Sequence, residues 1–464
     1  MASRTKDLLL EKLRGGAPMT MKDRLRLSWL LGLPAILAQM SSILMQYIDA
    51  GMVGRLGSDA AAAIGLVSTS TWILGGFCFA ASSGFTVQVA QLTGSRDYVK
   101  ARRVMRHAFT SLLIFSCLMA LLGLGISRAL PRWLGGAPEI CADATAYFAI
   151  YCCFLPVLQL SYSACAMLQA SGNMKIPSIV EISSCGLDVI LNYIFIYVLD
   201  MGVAGAALGT GLATLGTHTF ALWYLFTRSP ELNLLQDERG DWMPDRHTLS
   251  NAFGISGPLW LQNIVMRGAY VMSTVIVAPL GTVAIAANSF AIIAESFCYM
   301  PGYGLEEAAT SLVGQSIGAR RRDLARQFAY ITTGMAAVMM TVLAVLMYLL
   351  APQMMGLLTE DGEVIALGAR CLRIEAFAEF FYAVSMVAYG ACVGAGDTMV
   401  PTVLNFVSMW VVRIGLALIL CPRLGLTGYW IAMCIELNVR GILFAIRLRG
   451  NAWMKKVLVQ PSSD

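Results

Sequence analysis

Two acidic residues stand inside long apolar segments, where a charged side chain is conspicuous. Asp49 lies in an apolar run near the N-terminus, and Asp188 lies in the segment LDVILNYIFIY. Because an ionised carboxylate is costly inside a membrane, such a residue commonly binds a proton, an ion or a polar partner. A hydrated carboxylate at a helix end is the alternative for Asp49. A hydrogen bond between helices is the alternative for Asp188.

Asn192 places an amide beside Asp188. It follows four residues later, so the two side chains share one helix face. A desolvated carboxylate takes up a proton readily, and carboxylate and amide oxygens are also ligands for hard cations. The pattern therefore predicts binding of H⁺ or Na⁺ and leaves the choice between them open.

The C-terminal half carries a different set of charges. Glu375, Glu379 and Tyr382 follow an i, i+4, i+7 spacing, which predicts one shared helix face. These acids either attract a cationic ligand or pair with arginines to hold helices together, and both interpretations remain open. The other charged residues in apolar segments of this half are Glu295, Glu306, Glu307, Arg267 and Arg413.

The composition places these residues in a membrane protein. Of 464 residues, 57% are hydrophobic and 13% charged, whereas soluble domains are nearer a quarter charged. The 12 Cys form no CxxC pair and no zinc-like spacing with His, so we expect buried free thiols and no metal cofactor.

Apolar runs of roughly 20 or more residues, the length of a membrane span, recur about 12 times. The fold class predicted is all-α, with two six-helix lobes. The predicted segments are an N-terminal segment 1–26, an N-lobe 27–227, a linker 228–249, a C-lobe 250–448 and a tail 449–464.

Basic residues are concentrated in alternate loops. If the N-terminus is cytoplasmic, most of the 33 Lys and Arg residues lie on the cytoplasmic side. This bias predicts a multi-pass inner-membrane protein with both termini in the cytoplasm. The basic residues on the other side are then Arg55, Arg128, Arg132, Arg370, Arg373 and Arg423.

The two halves repeat each other. Gly202 matches Gly425 at an offset of 223, and earlier pairs keep an offset of 224. Six spans is an even number, so both halves enter the membrane from the same side, as parallel repeats whose interface typically holds the substrate. The pairs at offset 224 include Pro34–Pro258, Leu56–Leu280, Gln91–Gln315, Gly172–Gly396 and Pro177–Pro401.

Several motifs are similar to those of the multidrug and toxic compound extrusion (MATE) transporters. They are YIDAGMVGRLG (47–57), VQVAQLTGSRDYVKARR (87–103), LVGQSIGARRRDLAR (312–326) and GACVGAGDTMVP (390–401). The resemblance extends over essentially the whole chain. It implies two six-helix lobes around a central cleft and export of organic cations driven by H⁺ or Na⁺.

The resemblance also implies site residues. The family's coupling acid falls on Asp49, whereas the Asn-then-Asp order of its fifth span is inverted here as Asp188 and Asn192. Acids that other family members carry in the seventh and tenth spans fall on Met266 and Tyr382, so that site is missing. We therefore expect ion coupling at Asp49, Asp188 and Asn192. The predicted substrate contacts are Gln39, Tyr47, Glu295, Glu375, Glu379, Tyr382, Arg267 and Arg413.

The predicted function is a monomeric secondary antiporter that exports cationic drugs without a cofactor or a nucleic-acid partner. One alternative is a lipid-linked oligosaccharide flippase of the same superfamily, although a pyrophosphate cargo requires a more cationic interior. A membrane enzyme or receptor is the alternative from another class. The sequence contains no GxxxxGK[ST] or HExxH motif and only three His.

Overall fold

The structure is a computed structural model and describes residues 2–236 and 241–454. The π-helical segments Ile194–Val198 and Val407–Ile414 continue α7 and α14. The helices are α1 Ala2–Arg14, α2 Met21–Gly54, α3 Ser58–Gly94, α4 Tyr98–Ile126, α5 Leu130–Trp133, α6 Pro138–Ala170, α7 Lys175–Tyr193, α8 Gly202–Thr227, α9 Arg246–Val277, α10 Thr282–Gly318, α11 Arg322–Gly356, α12 Gly362–Glu375, α13 Glu379–Gly394, α14 Met399–Phe406, α15 Gly415–Leu424 and α16 Leu426–Arg449.

Most of these helices have the length and composition of membrane spans. Among the described residues nine pass that test, and α12 with α13 forms a tenth span that is bent by 60°. The α8 and α16 helices have 26 and 24 residues, which exceeds the roughly 20 that a span requires. The predicted all-α fold with about 12 spanning helices is confirmed.

The backbone repeats in the way the sequence predicts. The α3 and α10 helices each have 37 residues and begin 224 positions apart. Left-handed backbone conformations recur at the same offsets, because each half reverses direction at the same turns. The pairs are Gly57 and Gly281, Arg96 and Arg320, Gly172 and Gly396, and Gly202 and Gly425.

The described chain forms two compact units. Unit 2 comprises residues 41–260, in which α6 packs against α3, α4 and α8, and α7 packs against α8. Unit 1 comprises residues 1–40 and 261–464, in which α10 packs against α11 and α13, and α13 packs against α16. Each unit therefore has its own helical core.

The unit boundaries differ from the predicted lobes at the first helix of each half. The start of α2 belongs to unit 1 because a Cβ on Gly304 would meet the backbone of Ala35 and Ile36. The start of α9 belongs to unit 2 because Trp260 Nε1 donates to the Phe77 carbonyl at 2.9 Å. Residues 237–240 of the predicted linker and 455–464 of the predicted tail lie outside the described residues.

The N-terminal helix α1 is anchored in unit 1. Its leucines Leu9, Leu10 and Leu13 are buried. The last carbonyls of a helix lack partners within that helix. Arg321 supplies donors there: its Nη1 lies 3.1 Å from the Lys12 carbonyl and 3.4 Å from that of Leu13. The same atom donates to the carbonyl just beyond the helix, at position 17, at 2.8 Å.

Arg321→Ala should loosen α1 without unfolding the core. Hydrogen bonds from a charged donor contribute about 1.5–3 kcal/mol each, so we expect the α1 amides to exchange at least ten-fold faster in hydrogen–deuterium exchange. Arg322→Ala is the matched control, because Arg322 is exposed at the start of α11. Unchanged exchange in Arg321→Ala would show that the buried leucines alone hold α1.

Candidate functional site

Within unit 2 the structure brings together the three residues predicted to couple ions. Asn192 Nδ2 donates to Asp188 Oδ2 at 3.0 Å and to Asp49 Oδ1 at 3.0 Å. Asp188 and Asn192 are 1% and 2% exposed, and Asp49 is half-buried. One amide therefore bridges two carboxyl groups, one from α2 and one from α7.

The two carboxyl groups also lie close enough to share a hydrogen bond with each other. Two ionised carboxylates repel at such a distance, and neither has a proton to donate. The contact forms when one of the two is protonated, in the manner of other carboxyl pairs that hold a single proton between them. The two carboxyl groups are therefore close enough to hold a proton between them only when one of them is protonated.

Close approach of α7 and α8 sets the position of Asn192. The small residues Gly205 and Gly209, four apart on α8, face α7 in the pattern that allows helices to touch through their backbones. A Cβ on Gly209 would collide with Asn192 Oδ1 and lie 3.0 Å from the Asn192 nitrogen. A Cβ on Gly205 would lie 2.8 Å from the Phe195 carbonyl carbon.

A cavity of about 190 Å³ opens beside the carboxyl pair, within unit 2. Tyr147, Thr210 and Asp188 line one part of it. The Tyr147 phenol lies within electrostatic range of both carboxyl groups, and the Thr210 side chain hydrogen-bonds Asp188. Polar groups from α6, α7 and α8 therefore meet at one cavity.

The amide of Asn192 is oriented with its hydrogens, and not its oxygen, toward the two acids. A hard cation requires several oxygen ligands. Among the described residues no three His, Cys, Asp or Glu side chains are arranged to hold a metal ion.

The two remaining predicted contacts on α2 fall in different units. Gln39 belongs to unit 1, where its Nε2 donates to Glu307 Oε1 at 2.9 Å. Tyr47 belongs to unit 2 and is half-buried. The structure thus ties Gln39 to an acid of α10.

In unit 1 the predicted acids are buried. Glu295, Glu375 and Glu379 are 6%, 0% and 0% exposed. Neither carboxylate oxygen of Glu375 has a hydrogen-bond partner in the part of the chain that the structure describes, whereas Glu379 lies within hydrogen-bonding reach of the Cys298 thiol. Glu375 interacts electrostatically with both Glu295 and Glu379, so the three acids form one cluster.

The prediction that Glu375, Glu379 and Tyr382 share one face of one helix is wrong. Glu375 is the last residue of α12, Glu379 is the first of α13, and the two helices meet at 60°. The break places Glu379 at a helix N-terminus, where the dipole favours negative charge, and Glu375 at a C-terminus, where it does not. The two acids therefore experience different fields.

Arg413 is held in a buried ion pair. Its Nη2 lies 2.6 Å from Glu436 Oε2, and Arg440 Nε lies 2.7 Å from Glu436 Oε1. Two guanidinium groups thus share one carboxylate, and Arg413 also interacts with Glu295. Arg267 is half-buried on α9 in the same unit.

Tyr382 lies in an aromatic cluster of unit 1. Its ring centroid is 5.7 Å from that of Tyr299, which in turn lies 6.1 Å from Tyr303. The Arg440 guanidinium sits 5.9 Å from the Tyr382 ring centroid. Such ring faces attract cations.

Sequence reasoning missed Tyr147, Thr210, Glu181 and His218, which all line the cavity of unit 2. For two of them the sequence contained a spacing that could have identified them. Thr210 and His218 are eight residues apart on an otherwise apolar helix, and both project to one face. Tyr147 offered no such signal, because one tyrosine among many in apolar segments is ordinary packing.

Comparison with known proteins gives consistent findings. A family model described as MatE matches the chain twice, over residues 34–194 and 258–419. The probable multidrug resistance protein NorM of Mannheimia succiniciproducens is 29% identical over 436 residues, which cover 90% of this chain and 92% of the relative. A protein of the same description from Thermotoga maritima is 25% identical over 441 residues, covering 92% and 93%.

Two solved structures share the fold, each with a TM-score of 0.88 at 22% identity over 97% of this chain and 99% of their own. One is a MOP superfamily transporter from Pyrococcus furiosus, for which reversed polarity of the binding pocket is described. The other is an outward-facing multidrug resistance MATE family transporter of the same superfamily. At this identity the likeness concerns the fold alone.

Gly209→Ala should disturb the carboxyl pair, because the added methyl group collides with Asn192. We expect a destabilisation of about 1–3 kcal/mol, typical of overpacking, measured as a lower thermal unfolding midpoint in detergent. Gly216→Ala on the same helix is the control, because its Cβ would meet only Leu187 Cδ2, at an ordinary 3.5 Å. Equal midpoints for the two variants would contradict the close α7–α8 contact.

Proposed function

The chain belongs to the MATE family of transporters, whose model covers most of its length, and from this premise we propose that it is a proton-coupled antiporter that exports organic cations. The relatives' designation as multidrug resistance proteins supports a drug-like cargo. Transport proceeds by alternating access of the two lobes, without a cofactor. As a family member the chain is a transporter and not an enzyme.

The observation that carries the proposal is the carboxyl pair bridged by one amide. Asp49 and Asp188 both accept from Asn192 and lie beside a cavity large enough for several water molecules. Because the pair comes from two helices, its protonation state controls whether α2 and α7 attract or repel each other at this point. A proton bound here therefore changes the energy of one helix arrangement relative to another.

The coupling is a competition for negative charge. With a proton shared between them, Asp49 and Asp188 stay in contact and do not attract a cation. When the proton leaves, the ionised pair repels and can attract a cationic cargo in its place. Exchange of proton for cargo in opposite conformations gives antiport.

We propose that the acids of unit 1 also attract the cargo. Glu375 and Glu379 are buried, and Glu375 has no hydrogen-bond partner among the described residues, so a positive ligand would relieve an unfavourable environment. Tyr299, Tyr303 and Tyr382 add aromatic faces in the same unit. In this proposal Gln39, Tyr47 and Arg267 contact the cargo. Arg413 influences cargo binding indirectly, through its ion pair with Glu436.

Two alternatives are disfavoured by specific observations. A flippase for a pyrophosphate-linked lipid requires free cationic groups, yet Arg413 and Arg440 are both engaged by Glu436. A sodium-coupled mechanism requires oxygen ligands, yet Asn192 turns its amide hydrogens to both acids.

We propose that the chain works as a monomer in the inner membrane. Both termini lie in the cytoplasm in this proposal, an orientation that the bias of basic residues supports.

Asp49→Asn and Asp188→Asn should each abolish coupling. In vesicles loaded with a fluorescent organic cation, we expect the wild type to expel it when a proton gradient is imposed, and each variant to lose at least ten-fold in rate. Asp143→Asn is the control, because Asp143 is an exposed acid of the same unit. A sodium gradient of equal size is applied in parallel.

The outcomes separate the alternatives. Efflux driven by sodium alone would replace the proton with Na⁺ as the coupling ion. Efflux that survives both substitutions would remove the carboxyl pair from the mechanism. If neither gradient moves any cation tested, the drug-export proposal fails.

Glu375→Gln and Glu379→Gln should weaken cargo binding, since each removes a buried negative charge. We expect the dissociation constant of a fluorescent cation, measured by titration in detergent, to rise about ten-fold or more. Glu363→Gln is matched to them, because Glu363 lies exposed in the first turn of α12. Equal affinities in all three variants would contradict a cargo role for these acids.

A further inference from the structure

A second pair of titratable side chains lines the cavity of unit 2. Glu181 on α7 and His218 on α8 both contribute to its wall, together with Asp188. Glu181 Oε1 lies 3.6 Å from His218 Nε2, slightly beyond a hydrogen bond and close enough for an ion pair. His218 is 3% exposed, so its ring is sequestered from bulk solvent.

The surroundings of the ring dictate where its proton sits. His218 Nδ1 lies 3.2 Å from the Thr214 carbonyl oxygen, which can only accept a hydrogen bond. It also lies 3.2 Å from Thr217 Oγ1, whose own hydrogen is donated to the Ala213 carbonyl. Nδ1 therefore carries a hydrogen, and in the neutral ring Nε2 is a bare acceptor that faces the Glu181 carboxylate.

Two acceptors that face each other form a hydrogen bond only when a proton lies between them. In one form Glu181 is neutral and donates toward Nε2, and in the other His218 is an imidazolium beside a carboxylate. Consistent with this need, Nε2 has no hydrogen-bond partner among the described residues. The geometry thus creates a site for one exchangeable proton.

The pair is aligned with the coupling acids. Glu181 precedes Asp188 by seven residues on α7, so both lie on one helix face about 10 Å apart. On α8, Thr210 and Thr214 lie between the levels of Asp188 and His218, and both line the same cavity. The polar wall is therefore continuous from one pair to the other.

We propose that Glu181 and His218 form a proton-transfer station for unit 2, through which coupling protons pass between the Asp49–Asp188 pair and the aqueous side nearest the Lys175 end of α7. This inference rests on the proposed function. In the predicted topology that end of α7 is cytoplasmic. The station therefore governs proton exchange with the cytoplasm.

The transfer moves one proton and breaks no other bond. A proton leaves the Asp188 carboxyl group, is relayed through the cavity, which has room for several water molecules, and arrives at His218 Nε2. The transfer leaves Asp188 ionised and pairs the imidazolium with Glu181. Release to water restores the neutral ring.

The titratable groups near the pair on the helices packed around α8 are Cys78 on α3, Tyr151, Tyr162 and Cys165 on α6, and Cys185 and Asp188 on α7. Phenols and thiols are ordinarily neutral near pH 7.

The protonation of His218 can be observed directly, because the chain contains only three His. With nitrogen-labelled histidine and the whole protein in lipid nanodiscs, we expect one ring with protonated Nδ1 whose Nε2 resonance changes with pH. His218→Gln assigns that ring. Glu181→Gln should move its transition to lower pH, because the carboxylate that stabilises the imidazolium is gone. An unchanged transition would overturn the pair.

The transport assay then tests the role. We expect Glu181→Gln and His218→Gln to slow proton-driven efflux at least ten-fold and to flatten its pH dependence, while the dissociation constant of the fluorescent cation stays at the wild-type value. Glu181→Asp should restore part of the rate. Glu360→Gln and His247→Gln are controls, because both residues are exposed.

The results distinguish this inference from the proposed function. If Asp49→Asn and Asp188→Asn abolish efflux but the Glu181 and His218 variants keep the wild-type pH profile, the station is refuted and antiport stands. If those variants lower only thermal stability, the pair is a structural tie between α7 and α8 and the inference fails. If the aspartate variants transport normally while Glu181→Gln moves the His218 transition, the proton site stands and its coupling role fails.

Discussion

The cost of placing a carboxylate among apolar helices underlies the arrangement of this protein. Each buried acid must be neutralised by a proton, a cation or a set of hydrogen-bond donors. Asp49 and Asp188 are served by one amide and a shared hydrogen bond, whereas Glu436 is served by two guanidinium groups. The charge balance of the Asp49–Asp188 pair depends on protonation, whereas that of the Glu436 cluster does not.

The Glu436 cluster behaves as a fixed structural element. Removing one partner of such a buried ion pair typically costs about 3–5 kcal/mol, because a charge is left without compensation. Arg413 and Arg440 come from different spanning segments, so Glu436 fastens them together. Glu375 and Glu379 have no guanidinium within ion-pair distance among the described residues, and for this reason we propose them as contacts of a cationic cargo.

The fold was largely predictable, because lipid demands long apolar helices and a duplicated chain repeats its turns. The meeting of Asp49, Asp188 and Asn192 was also predictable, since two of them share a helix face and the third occupies a family motif. The break between Glu375 and Glu379 was not, because helical spacing carries no information about where a helix ends when neither Gly nor Pro marks it. The contact of Glu181 with His218 depends on the packing of α7 against α8, which no local pattern specifies.

The π-helical segments have a consequence for how the two halves diverged. The offset between matching residues falls from 224 to 223 between the Pro177–Pro401 and Gly202–Gly425 pairs, so one half has lost or gained a residue there. That stretch holds the π-helical turns of both halves, Ile194–Val198 and Val407–Ile414. A π-turn absorbs one extra residue while the helix axis continues, and each residue turns the following side chains by about 100°. The π-helical segment of the C-terminal half contains Arg413, whereas Asp188 and Asn192 precede that of the N-terminal half. The wider turn therefore affects the direction of the arginine and leaves the acid and the amide on regular α-helix.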